Sequence, residues 1–333
     1  SLGRPLDGKG AILAGTPVPL HREPLPPMQR APVDTRLPLG VRSLDSFVPV
    51  GQGQRLGIFA GAGVGKSTLL GMIAKNARAD VVVLGLVGER GREVGHFVAD
   101  VLGSALDRSV VVVATSDRPP TERIRAAFVA TAVAEHFRDE GANVLLFLDS
   151  LTRVCMAQRE IGLAVGEPPT TKGYPPSTFA MLPRLLERAA PRADGGSITG
   201  LYTVLVEGDD LSDPVSDSAR SLLDGHIVLS RELAERGRYP AVDVLRSLSR
   251  IENQVSAPWE REAARRVREW LGRIEESRDL LAVGAYKRGA DPKLDDALDR
   301  GPSLETFLRQ AVDEPDELEA TLRALATLAE VKP

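Results

Sequence analysis

The chain has 333 residues, 43% hydrophobic and 26% charged, the balance of a folded globular protein. That length exceeds what one core usually fills, so one large domain and a smaller one are expected. A net charge of -4 and 4% aromatic residues argue against an extended nucleic-acid surface, and the single cysteine excludes an intrachain disulfide framework. No apolar run is long enough to span a bilayer as a helix.

In chain order, residues 1–40 come first, rich in proline (17, 19, 24, 26, 27, 32 and 38), and read as an extended linker. From about 55 to 230, short β-rich apolar runs alternate with helix-like segments. The runs are 56–59, 81–87, 110–114, 144–148, 201–206 and 226–229. Near-continuous Val and Leu imply strands buried on both faces, hence an α/β fold with a mainly parallel sheet covered by helices. Between them, 121–138 carries apolar residues at helical spacing. After Pro258 the composition turns charged and helix-favouring, at 260–281, 303–311 and 316–330, punctuated by Asp291-Pro292, Gly301-Pro302 and Glu314-Pro315. The expected division is therefore linker 1–40, core domain 41–257 and helical C-terminal domain 258–333.

The stretch Ala60-Gly61-Ala62-Gly63-Val64-Gly65-Lys66-Ser67-Thr68 follows a strand and opens a helix, the context of a phosphate-binding loop. Glycines let backbone N–H groups close on phosphates, Lys66 reaches the terminal ones, and the Ser67 hydroxyl suits Mg²⁺. Ala60 stands where the pattern has its first glycine, a small change expected to be tolerated. About eighty residues on, Val144-Leu145-Leu146-Phe147-Leu148-Asp149 is an apolar strand ending in a carboxylate. Asp149 fits either a metal-binding position or an ordinary helix cap, and pairing with the loop favours the metal. Gly88-Glu89-Arg90-Gly91-Arg92-Glu93 follows the strand 81–87. Glu89 there is a candidate for deprotonating an attacking water, though the six residues alone favour a solvated charge cluster on a loop. Arg153 and Arg250 each come just after a strand or turn, where a guanidinium could meet phosphoryl oxygens or simply face solvent. Cys155 reads as a packed small hydrophobe, and the four histidines lack metal-ligand spacing. Gly166–Pro176 and Asp209–Pro214 read as polar loops.

At these residues the chain resembles the type III secretion ATPases, flagellar export branch, relatives of the catalytic subunit of rotary ATP synthases. The blocks are long: the phosphate loop, Gly88–Val94, the 144–149 strand, Gln158–Ala164, Leu182–Arg188, Val206–Asp210 and Asp224–Leu229. The resemblance implies a phosphate-loop ATPase core of RecA-like fold, with Mg²⁺ and ATP held by Gly61, Ala62, Gly63, Val64, Gly65, Lys66, Ser67 and Thr68. It implies Glu89 as catalytic base, Arg90 beside it, Arg153 near the terminal phosphate, Arg250 reaching a neighbouring subunit's site, and Tyr239 stacking on adenine. Metal contacts fall to Ser67 and Asp149.

The same family carries an N-terminal β-barrel, so residues 1–40 are expected to be that barrel's exit. Implied partners are further copies in a homohexamer (a monomer where the barrel is missing), stator and stalk proteins, chaperones and export substrates, with no nucleic acid. The implied place is the cytoplasm, at the inner-membrane export apparatus. The loop 168–174 looks flagellar. A rotary or vacuolar-type catalytic subunit, an injectisome ATPase and a hexameric nucleic-acid translocase share much of this plan.

Overall fold

The structure, a computed structural model, describes residues 18–206 and 213–332. The loop reading at Asp209–Ser212 and the start of the linker lie outside the described residues. Residues 18–40 are mostly extended, as their prolines dictate, yet Leu25, Leu37 and Leu39 are buried in the domain.

The chain then forms α1 (Arg42–Phe47), β1 (Arg55–Ala60), α2 (Lys66–Asn76), β2 (Val81–Val87) and α3 (Gly91–His96). A π-helical turn, Phe97–Val101, continues α3 and leads to β3 (Ser109–Ala114) and α4 (Pro120–Asp139). Next come β4 (Asn143–Asp149), α5 (Leu151–Ala164), α6 (Pro176–Leu186), β5 (Ser197–Leu205), α7 (Pro214–Leu222), β6 (Gly225–Leu229), α8 (Arg231–Glu235) and β7 (Leu248–Ser249). The C-terminal part is helical: α9 (Glu252–Val255), α10 (Pro258–Glu276), α11 (Arg278–Ala282), α12 (Pro292–Leu308) and α13 (Leu318–Ala329).

The sheet runs β3-β2-β4-β5-β1-β6-β7, parallel except for β7, which pairs antiparallel with β6. β2 is buried along its whole length because both faces are covered. Val82, Leu84 and Leu86 turn to the side holding α1 and α2, while Val81, Val83 and Val87 turn to the side holding α4, α5 and α6. β3 closes one edge and leaves Val113 half-exposed. The core on the α2 side runs on without a break into Val267, Phe307 and Leu325 of the C-terminal helices.

Two expectations change. Gly301-Pro302 does not separate helices: α12 runs through it from Pro292 to Leu308. Proline there removes one backbone hydrogen bond, and the buried stripe Leu294, Ala297, Leu304, Phe307 and Leu308 holds both halves in one helix. The 260–281 stretch is broken at Ser277 into α10 and α11. The helix expected over 121–138 is α4, with Pro120 at its first turn.

Candidate nucleotide site

Parallel strands deliver their carboxyl ends to one edge of the sheet, and the sequence-predicted loop lies there between β1 and α2. Ala60 is the last residue of β1, paired with Leu205 and Leu229, so its methyl sits in strand geometry and the missing glycine costs nothing visible. Gly65 turns the chain into α2 with φ +90°, a conformation glycine adopts without strain. No side chain caps α2, so its first N–H groups are presented by the backbone alone, as an anion site requires. Val64 is buried and anchors the loop, while Ala62, Gly63, Ser67 and Thr68 face outward.

Lys66 projects from the first turn of α2 between two carboxylates. Its Nζ lies 2.5 Å from Asp149 Oδ1 and 3.7 Å from Glu89 Oε1. β4 ends at Asp149, and β2 ends just before Gly88-Glu89, so neighbouring strands bring the two acids together. Asp149 is almost wholly buried, and Thr203 Oγ1 donates to its Oδ1 at 2.6 Å. Burial pushes the Glu89 carboxyl above the ordinary carboxylate value; Lys66 pulls it back, and Asp149 and Glu93 push it further up.

A cavity of about 400 Å³ opens in front, lined by Gly61, Ala62, Gly63, Gly65, Lys66, Ser67, Thr68, Glu89, Arg90 and Arg153. A smaller recess of about 170 Å³ joins Ser67 and Thr68 to Glu89, Glu93 and Asp149. The Ser67 hydroxyl, the carboxylates lining the recess and room for water form a hard-oxygen donor set that suits Mg²⁺, which keeps several waters. Among the described residues no preformed cluster of three ligands is present, so a metal here would depend on phosphate and water for its remaining ligands.

Arg153 packs against Gly88, where a Cβ would lie 2.8 Å from Arg153 Cβ. Its Nε is buried without a protein partner, an unspent donor beside the cavity. Arg90 reaches Glu93 Oε1 at 3.5 Å and is largely exposed.

Tyr239 stands at the cavity rim with its ring beside Gly65, where an added Cβ would be 3.4 Å from the ring. It is 46% exposed, which leaves a ring face free to stack. Its carbonyl accepts from Gln310 N at 3.0 Å, so the C-terminal helices hold the loop that carries it.

Arg250 is not in this cavity. Its N–H donates to Asp224 O, and its Nη2 to Arg220 O at 3.2 Å, beside the amino end of β6. That is the opposite edge of the sheet from the chain's own phosphate loop.

Sequence reasoning missed Thr203, Glu93 and Gln310. Thr203 is hidden in the apolar run 201–206, where threonine reads as a strand former. Glu93 is in the quoted loop but carried no role, and Gln310 has no motif around it.

The ATP synthase alpha/beta family nucleotide-binding domain matches residues 40–249, and the T3SS EscN ATPase C-terminal domain matches 256–327. The flagellum-specific ATP synthase of Bacillus subtilis (strain 168) is 54% identical over 329 residues, covering 98% of this chain and 75% of that protein. The type 3 secretion system ATPase of Xanthomonas euvesicatoria is 51% identical over 330 residues, covering 99% and 74%. The solved structure of the assembled ATPase EscN from the enteropathogenic E. coli type III secretion system superposes with a TM-score of 0.91 at 46% identity. That match covers 98% of this chain and 81% of EscN. EscN has also been solved in complex with its central stalk EscO, with a TM-score of 0.89.

Proposed function

Because the chain belongs to the ATP synthase alpha/beta family, in the branch of flagellum-specific and type III secretion ATPases, we propose a specific site chemistry for its ATP hydrolysis. ATP binds with its phosphates on Gly61–Thr68 and its adenine against Tyr239. Ser67 and Asp149 would hold Mg²⁺, which would supply positive charge to the bound phosphates. The N–H groups of the loop and the first turn of α2 orient the phosphates, and Lys66 turns its ammonium from Asp149 towards them. Glu89 accepts a proton from the water that attacks the γ-phosphorus. The bond from that phosphorus to the β-phosphate oxygen breaks, and ADP leaves. Arg153 and Arg90 line the cavity where the terminal phosphate would sit.

The observation that carries this reading is the placement of Lys66 between Glu89 and Asp149 at the mouth of a glycine-rich loop. Phosphate release from Mg-ATP and Mg²⁺-dependent ATP binding are the test. Lys66→Ala should lose both, and a variant retaining either at the parental level would overturn the assignment.

The position of Arg250 at the far edge of the sheet supports service to a second copy's site, which makes the active form a homo-oligomer. The energy is delivered to type III protein export, with a stalk protein and chaperones among the partners and the export apparatus at the inner membrane as the place of work. No described helix is long and apolar enough to cross a membrane. The flagellar system is the destination we favour, from the loop at 168–174. Cross-linking in cells to rod and hook proteins is its test, and capture of effectors instead would refute it.

A further inference from the structure

Asp149 Oδ1 accepts two donors, and they differ in kind. One is the ammonium of Lys66 at 2.5 Å, the other the hydroxyl of Thr203 at 2.6 Å. Lys66 is on a flexible stem and is the group that nucleotide phosphates would draw away. Thr203 is fixed in β5 and only 1% exposed. The β4–β5 register pairs Leu148 with Tyr202, which sets Asp149 level with Thr203 across the two strands. The hydroxyl has one proton and a second acceptor, Leu148 O, at 3.5 Å; the shorter, charged contact takes it. No described residue donates to Oδ2.

We infer that Thr203 is the positioning residue of the metal site: its hydroxyl holds Asp149 Oδ1 so that this carboxylate, which lines the recess beside Ser67, keeps one orientation when Lys66 moves to phosphate. This rests on the reading of Asp149 as a metal-binding residue. A buried carboxylate with one fixed donor keeps one orientation, and partners of this kind typically change metal affinity by about ten- to a hundredfold when removed. Valine is the informative replacement, because it conserves shape and deletes only the donor.

The test is calorimetric titration of ADP into the whole chain, with magnesium and with EDTA, so that turnover plays no part. The ratio of the two affinities is the magnesium gain. Thr203→Val should cut that gain by about tenfold or more and leave affinity in EDTA unchanged, while Thr203→Ser should keep the parental gain. Thr203→Ala gives the same comparison if valine fails to fold. A parental gain in the valine or alanine variant overturns the inference, as does an equal loss in the serine variant, which would mean that packing rather than the hydroxyl matters. Asp149→Asn is the control for the underlying reading. It should abolish the gain, and if it does not, the metal role of Asp149 falls first and that of Thr203 with it.

Discussion

Replacing Arg250 by alanine should stop turnover without touching the chain's own nucleotide pocket. Arg250 N–H bonds to Asp224 O, and Asp224 N bonds to Arg55 O, so Arg250 is level with the first residue of β1. The phosphate loop begins after Ala60, the last residue of that strand. At about 3.3 Å per residue the separation is about 20 Å, beyond the reach of an arginine side chain. The guanidinium therefore acts on another copy or on none. An arginine supplied across an interface contributes about three to five decades in phosphoryl-transfer rate, and Arg250→Ala should lose that much in kcat while ATP binding is kept. Mixing is the decisive assay. Arg250→Ala retains Lys66 and Glu89, whereas Glu89→Gln retains Arg250. In an equal mixture that assembles at random, about a quarter of the head-to-tail interfaces join an intact pocket to an intact arginine. Activity should then return to about a quarter of the parental rate. Co-assembled mixtures that stay inactive would refute the reasoning.

The raised Glu89 carboxyl gives a pH signature. A carboxyl pushed up by burial holds its proton to higher pH, and only its ionised form can accept one from water. The acid limb of kcat/KM should lie above the ordinary glutamate range, activity rising with pH through it; a limb in that range would contradict the base role. Arg188 and Glu135 form a bidentate ion pair, both essentially inaccessible to water, with Arg188 also donating to Leu20 O at 2.9 Å. Arg188→Met leaves a buried carboxylate unpaired and should cost about 3–5 kcal/mol in denaturant unfolding, largely recovered by adding Glu135→Leu. Tyr239→Ala should weaken ATP by about 1–3 kcal/mol, if stacking on the base matches that measured for nucleic-acid bases, and leave tripolyphosphate binding unchanged. Equal weakening of both ligands would place the ring's effect on the phosphate loop.

Much of this was readable from residues alone because the strands are buried on both faces and therefore apolar throughout. The runs at 81–87 and 144–148 are strands almost to the residue. The phosphate loop was readable because its glycines follow a strand and open a helix. β7 was not readable: two residues, one of them serine, carry no pattern, and only pairing with β6 makes them a strand. The start of β5 at Ser197 was hidden by the polar Ser197 and Thr199, which are buried because Gly53 N donates to Thr199 Oγ1 and Ser197 Oγ donates to Asn143 Oδ1. α12 ran through a glycine-proline pair because tertiary burial outweighed a local breaker. In the site, Thr203 and Gln310 were invisible for a shared reason: each acts through hydrogen bonds to residues distant in sequence. Gln310 is buried, joins Arg42 N and Gly40 O, and reaches Tyr239 through its own backbone.

Glu89→Gln separates holding a nucleotide from splitting it. The amide keeps the size of the carboxylate and loses its basicity. Binding of Mg-ATP should stay within a few-fold of the parent, while single-turnover phosphate release falls by about two to four decades. Release at the parental rate would contradict the role given to this carboxylate, and with it the account of the site.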